Sequence, residues 1–325
     1  MPRRPEVHVK RFDIRGGAAA NALSRRAIAR RLALLCRLAL LCRLALLCLL
    51  AANGPLWAAS IIDDDQYTLQ IGVRTPRIVS LAPGATAMLF AAGAGQQILG
   101  TSDYSNEPPA AQRLERVGDS QSFDLERILA LHPDVVVVWS GGTSAAQIDQ
   151  LERVGLKVYR HRIERLADIP ESLRRLGVLA GTQSPAQAAA ASLAARIAAL
   201  QQRYATARGG TVLIQVWDHP IYTVGRSQLM SDVLRICGYR NVYQDLPDPG
   251  PAVSLESVLQ RDPDLILAVG SDQKAADDWV QHWRTYPTLK AVRNGRLIAW
   301  TDQRLSRLGP SMVDATETLC SALQR

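Results

Sequence analysis

Short β-branched apolar runs recur along the chain, separated by segments of helical period. The runs Arg77–Leu81, Ile98–Ser102, Val135–Trp139, Lys157–His161, Thr211–Val216, Leu265–Val269 and Arg296–Trp300 have the length and composition of buried strands. Between them Thr86–Ala92, Asp124–Leu131, Ala145–Val154, Ile169–Ala180 and Leu229–Ile236 read as helices. Alternating strands and helices predict an α/β fold with central, mainly parallel sheets.

One segment breaks the rhythm. Ser184-Pro185 opens an Ala-, Gln-, Leu- and Arg-rich run that closes at Gly209-Gly210, which predicts one long helix over 184–208. Leu193, Ile197, Leu200 and Tyr204 share one face of it. Such a helix suits a connector between two lobes, and equally an amphipathic helix of one larger domain.

The two halves echo each other at an offset of 130 residues. Asp124-Leu-Glu126 through Pro133-Asp134 aligns without gaps on Ser254-Leu-Glu256 through Pro263-Asp264. Each copy reads as a capped helix, a Pro-Asp turn and a strand, which predicts lobes of similar fold. Glu126 and Glu256 hold equivalent places. A first-turn carboxylate gains ~0.3–1 kcal/mol from the helix dipole, which by itself accounts for both. The functional alternative is a pair of outward charges that fit basic sockets on a partner.

The amino-terminal sixty residues differ from the rest. Arg-Leu-Ala-Leu-Leu-Cys occurs three times over 31–48, and Leu44–Ala52 is uninterruptedly apolar before Gly54-Pro55 and Ala58-Ala59-Ser60. A basic segment, a short apolar core and small residues make a secretory signal peptide, with cleavage near Ala58 or Ala59. The apolar stretch is too short to span a bilayer, which takes roughly 20 residues.

Charge follows the same division. The whole chain carries 38 Lys+Arg and 30 Asp+Glu, a formal +8. Eleven basic and two acidic residues lie in 1–60, so 61–325 keeps 27 and 28, a net −1. A nucleic-acid surface needs clustered positive charge, and the mature chain has no such surplus. Three of the five cysteines leave with the leader. Cys237 and Cys320 remain, and two cysteines in an oxidising compartment read as one disulfide.

Catalytic patterns are missing from the sequence: it has no P-loop, HExxH, GxSxG or CxxC motif, and no histidines in ligand spacing. No catalytic residue and no metal site is therefore predicted. Aromatics at strand ends are the stronger signal: Tyr104 in the loop after Ile98–Ser102, Trp139 before Ser140-Gly141-Gly142, and Trp217 with Tyr222 close behind. Ligands of parallel α/β sheets bind outside the carboxyl ends of strands, where such rings suit a large ligand with apolar faces.

Several motifs resemble the helical-backbone class of periplasmic binding proteins, and within it the cobalamin carriers of ABC importers. They are Arg77-Ile-Val-Ser-Leu-Ala-Pro, Tyr104-Ser-Asn-Glu-Pro-Pro, Leu125-Glu126-Arg-Ile-Leu-Ala-Leu-His-Pro-Asp, Trp139-Ser-Gly-Gly, Gln150-Leu-Glu-Arg-Val-Gly-Leu-Lys-Val, Cys237-Gly and Thr318-Leu-Cys320-Ser-Ala-Leu. The resemblance covers roughly 76–323. It implies two α/β lobes joined by one long helix, a ligand cleft between them, and a monomer that is not an enzyme. Tyr104, Trp139 and Arg307 match cleft residues around the corrin, joined here by Trp217 and Tyr222. Glu126 and Glu256 match carboxylates that meet arginines of the permease dimer, and Cys237 and Cys320 match a disulfide.

The chain also departs from that pattern. Ser120 and Gly250 stand where the cobalamin carriers have Trp, Gln303 where they have Asp, and Val216 where they have Phe, with Trp217 positioned to take over that packing. The expected ligand is cobalamin or a related corrinoid, the alternative haem or a ferric siderophore; Tyr104 and His219 keep haem open. An envelope enzyme on a two-lobed scaffold is the reading from another class. The expected organisation is a leader and signal peptide over 1–59, an N-terminal lobe over 60–183, the connecting helix over 184–208 and a C-terminal lobe over 209–325. No catalytic cofactor and no nucleic-acid partner is implied.

Overall fold

The computed structural model describes residues 59–72, 74–119 and 122–324. The leader through Ala58, and Ser120 among the departures named above, lie outside the described residues. A hairpin of β1 (Ala59–Ile62) and β2 (Thr68–Ile71) precedes the first predicted strand. Leu69 and Ile71 alternate with exposed neighbours and bury one face with Ile61. Four residues of alternation are too short a run to stand out in sequence.

The first sheet follows in regular α/β order. Its elements are β3 (Ile78–Ser80), α1 (Pro83–Ala91), β4 (Ile98–Thr101), β5 (Glu115–Arg116), α2 (Leu125–Ala130), β6 (Val135–Trp139), α3 (Ala145–Arg153), β7 (Val158–His161) and α4 (Ile169–Ala180). The strand order is β5-β4-β3-β6-β7 and every neighbouring pair is parallel. Both faces of β6 are covered, which is why it reads as an unbroken Val run. Val135 and Val137 join the core under α4, while Val136 and Val138 pack with Ile128, Ile148 and Leu151 of α2 and α3.

The long helix is α5 (Gln183–Arg203). It starts one residue earlier and ends five residues earlier than its Ser-Pro and Gly-Gly punctuation predicts. At its start, Gly181 takes φ 69° after α4, and the Thr182 N–H donates to the Gly177 carbonyl, so the chain re-enters a helix before Ser184 can cap it. At its end, Tyr204 turns out of the helix, and its hydroxyl lies 3.3 Å from that of Ser321. Leu193, Ile197, Leu200 and Tyr204 are all buried. That face carries one continuous core from α4 across to Ile214 and Leu267 of the second sheet.

The second half comprises β8 (Thr211–Trp217), β9 (Ile221–Thr223), α6 (Leu229–Ile236), β10 (Arg240–Asn241), β11 (Ala252–Val253), α7 (Leu255–Arg261), β12 (Leu265–Val269), α8 (Gln273–Trp283), α9 (Lys290–Arg293), β13 (Leu297–Trp300) and α10 (Ser311–Leu323). Its strand order is β11-β9-β8-β12-β13, with β10 also on β8. β10, β12 and β13 run parallel to β8, and β9 runs antiparallel to β8 and β11. Cys237, at the end of α6, is bonded to Cys320 of α10 across 83 residues of sequence. Gly238 follows at φ 85°, and a Cβ there would lie 2.6 Å from the Ala207 carbonyl oxygen, so only glycine fits.

A buried polar lock fastens the hairpin to the first sheet. In the β1–β2 turn, Asp63 accepts from the Arg160 amide at 3.1 Å, Asp64 pairs with His161 at 3.0 Å, and Asp65 pairs with Arg162. Ser172 donates to Asp64 at 2.7 Å and Arg175 adds an ion pair at 3.3 Å. Burial by itself would raise the Asp64 carboxyl, but hydrogen bonds from His161, Ser172 and Arg162 outweigh it and hold it below its ordinary value. Asp63 goes the other way: its burial outweighs the amides of Tyr67, Arg160 and Asp65 and pushes the carboxyl up.

Candidate functional site

The strand directions decide where loops can gather. In the first sheet the parallel strands all deliver their carboxyl ends to one edge. There Ser102–Asn106 follows β4, and Trp139 closes β6. In the second sheet β8, β12 and β13 do the same, which puts Trp217 at the end of β8 and Gln303 and Arg307 in the segment after β13.

Between the two halves lies a cavity of about 270 Å³. Trp139, Arg162 and Glu164 line it from the first half, and Gln228, Pro249 and Leu308 from the second. Trp139 is half-buried, and Gly141 and Gly142 turn back against its indole. A Cβ at Gly142 would stand 2.2 Å from a ring carbon, and one at Gly141 2.7 Å from Nε1. The Gly-Gly pair is therefore required for that indole position, and any side chain there would displace the ring.

The other aromatics stand outside this hollow. Trp217 and Tyr222 are register partners across β8 and β9, beside an irregularity in the ladder at Gln215–Trp217. Both are exposed, Trp217 at 56%. Val216 packs inward on the main core. Val216 and Trp217 thus face different ways, the valine onto the core and the indole out to solvent. Tyr104 is 76% exposed in the loop after β4, at φ 64°. The Arg116 guanidinium holds that loop through the carbonyls of Ser102 and Ser105, at 2.8 and 3.1 Å. His219 pairs with Asp218 at 2.8 Å and lies near His282, with ring centroids 6.3 Å apart. Gln303 donates to the carbonyls of Gly270 and Ser271. No group of side chains that could hold a metal ion occurs among the described residues.

Arg307 has a partner that its residue type did not announce: Glu107, at 2.9 Å. The pair joins the loop after β4 to the segment after β13. Leu308, next in sequence, lies against Gly84 of α1, where a Cβ would be 2.2 Å from the Leu308 oxygen. Glu107, Arg162, Glu164, Gln228, Pro249 and Leu308 are lining or bridging residues that sequence reading missed. Only Glu107 lay inside a motif already singled out, Tyr104-Ser-Asn-Glu-Pro-Pro.

Glu126 and Glu256 occupy the first turns of α2 and α7, after the caps Asp124 and Ser254, and both are exposed. Each helix returns the chain to the start of a parallel strand, β6 or β12, so its first turn lies on the carboxyl edge of its sheet. The carboxylates thus share the cleft edge of their sheets. Glu256 is held below the ordinary carboxylate range by its own backbone N–H and the Ser254 hydroxyl.

With this geometry in view, likeness to known proteins is informative. A family model described as periplasmic binding protein matches residues 78–304. The chain belongs to that family. A vitamin B12-binding protein of Photorhabdus laumondii is 34% identical over 249 residues, covering 76% of this chain and 87% of that protein. The crystal structure of the periplasmic vitamin B12 binding protein BtuF of Vibrio cholerae superposes with a TM-score of 0.71 at 31% identity, over 77% of this chain and 97% of that one. The periplasmic heme-binding protein RhuT from Roseiflexus sp. RS-1 shares the fold, with a TM-score of 0.66 at 23% identity over 77% and 98% of the two chains. The family match begins at Ile78, so the β1–β2 hairpin lies ahead of it.

Proposed function

We propose that this chain is an exported, non-enzymatic binding protein that captures cobalamin or a related corrinoid and delivers it to an inner-membrane ABC importer. The observation that supports the reading is the presence of aromatic side chains from both halves at the carboxyl edges of two sheets, in a chain 34% identical to a vitamin B12-binding protein. Tyr104, Trp139, Trp217 and Tyr222 would cover the apolar faces of the corrin. Arg307 would meet its amide rim, exchanging Glu107 for ligand carbonyls. Glu126 and Glu256 would dock the monomer on arginines of the permease dimer. The basic leader over 1–59 would direct export to the periplasm, and the lobes would span 60–183 and 209–325 about the connecting helix.

Haem is the second reading, supported by Tyr104, whose hydroxyl is exposed and makes no hydrogen bond among the described residues. A phenolate is a known type of haem axial ligand. Calorimetric titration of the mature protein with cyanocobalamin, haemin and a ferric siderophore tests both. Saturable heat with cyanocobalamin is expected; heat only with haemin would transfer the assignment to haem.

A further inference from the structure

The near-neutral charge of the mature chain conceals a strongly uneven distribution. A groove of about 1050 Å³ runs along the end of α5, the α6 face and β10, and its lining includes Arg165, Arg208, Arg226, Arg235 and Arg240. Against these stand only Glu164 and Asp232. The Asp232 carboxylate is already engaged, accepting from the Leu166 amide at 2.8 Å and pairing with Arg235. Arg165 pairs with Asp168 at 3.1 Å.

The other three arginines have no carboxylate in ion-pair contact among the described residues. Arg208 donates only to the carbonyls of Ala205 and Ala207. The side chains of Arg226 and Arg240 make no hydrogen bond or salt bridge there and both residues are exposed, with Asp245 and Asp264 respectively the carboxylates within electrostatic reach. Unpaired guanidinium groups facing one hollow repel each other and raise the local positive potential. The walls also depend on glycine. A Cβ at Gly209 would lie 2.4 Å from a Tyr239 ring carbon, and one at Gly210 2.4 Å from the Asp264 carboxylate. The backbone of this wall is therefore packed as closely as its neighbours allow, with no side chain to fill the groove.

We propose that this groove is a second binding site, for a small molecule carrying two or more phosphate groups. Guanidinium forks match phosphate oxygens in bidentate geometry, and the excess of arginines over carboxylates matches a multiply charged anion. The volume lies at the upper end of small-molecule sites, about 300–1,000 Å³. The site stands apart from the aromatic edge residues, although Glu164 and Ser227 line both the groove and the small interlobe cavity. It does not depend on which ligand the cleft takes.

The test is calorimetric titration of the mature protein with sodium tripolyphosphate, at about 50 and about 200 mM salt. Saturable binding is expected, weaker at the higher salt. The double variant Arg226→Gln/Arg240→Gln should lose at least about tenfold in affinity, while Arg153→Gln, at the end of α3, should bind as the parent does. Circular dichroism verifies that each variant is folded, and Arg240→Gln alone serves if the double variant is not. A parallel arm sediments the protein with vesicles containing cardiolipin, whose headgroup carries two phosphates. Co-sedimentation that tripolyphosphate reverses identifies lipid headgroups as a source of the phosphate, and calorimetric binding without co-sedimentation identifies a soluble one. Absence of tripolyphosphate binding, or binding that the arginine variants leave unchanged, overturns the proposal.

Discussion

Arg307 and Glu107 face each other at 2.9 Å, each about one-third exposed or less, in an ion pair that ties the loop after β4 to the segment after β13. The arginine expected to meet a ligand is thus already satisfied by the opposite half of the molecule. Ligand binding would have to exchange one partner for the other, which lowers the net gain.

A pair of substitutions separates these contributions. Arg307→Ala should weaken cyanocobalamin binding by about fivefold to tenfold, the net worth of one ordinary hydrogen bond, because the exchange of partners offsets part of the charged interaction. Glu107→Gln should tighten it, because the competing acceptor loses its charge. Calorimetry reads both; weaker binding in Glu107→Gln would show that the pair preorganises the cleft.

The rings at the end of β8 offer a cleaner measurement. Trp217 and Tyr222 are exposed and support little of the core. Each Ala substitution should therefore leave thermal unfolding nearly unchanged while costing about 10- to 100-fold in ligand affinity, the range of aromatic anchors. Titration and a thermal melt on the same preparations decide it.

For Glu126 and Glu256, reversal to Lys should lower stability modestly, because each exchanges a first-turn carboxylate that suits the helix dipole for a charge of the wrong sign. Ligand affinity should be retained while uptake falls, since docking charges act on association with a partner. Uptake equal to that of the parent protein in the double variant would remove these residues from the docking surface.

The hairpin lock carries a pH signature. Asp64 is held below its ordinary value, so its contribution is present above the unfolded pKa of about 3.9 and is lost as pH falls through the folded value. Asp63 is raised, so its contribution is complete below that unfolded value and is lost as pH rises through the folded one. Asp64→Asn should therefore destabilise the protein at neutral pH by about 3–5 kcal/mol, the cost of breaking a buried ionic network. Asp63→Asn should cost less. Chemical denaturation at about pH 7 and about pH 2.5, below the unfolded carboxyl value, should show the Asp64 variant losing less than the parent on acidification.

Replacing Cys237 and Cys320 by Ser tests the tie between α6 and α10. A closure spanning 83 residues predicts a loss of about 4.5 kcal/mol in the chain-entropy picture. Thermal melts with and without reductant should show the parent falling towards the double variant once the bond is reduced.

Local chemistry was legible where one periodicity or one cap suffices. The Val135–Trp139 run, the Leu193-to-Tyr204 helix face, the doubled Leu-Glu unit and the aromatic strand ends could all be read along the chain, because each depends on residues close in sequence. Boundaries were less legible: the ends of α5 were set by Gly181 and by Tyr204 packing near Ser321, contacts outside the helix pattern. Tertiary structure alone decided which strand ends face one another, that Arg307 pairs with Glu107, and that Trp217 turns outward while Val216 turns in. It also drew arginines from 165 to 240 into one groove although residues 61–325 sum to −1. Net charge adds over the sequence regardless of position, whereas electrostatic potential depends on distance, and only the fold sets distance.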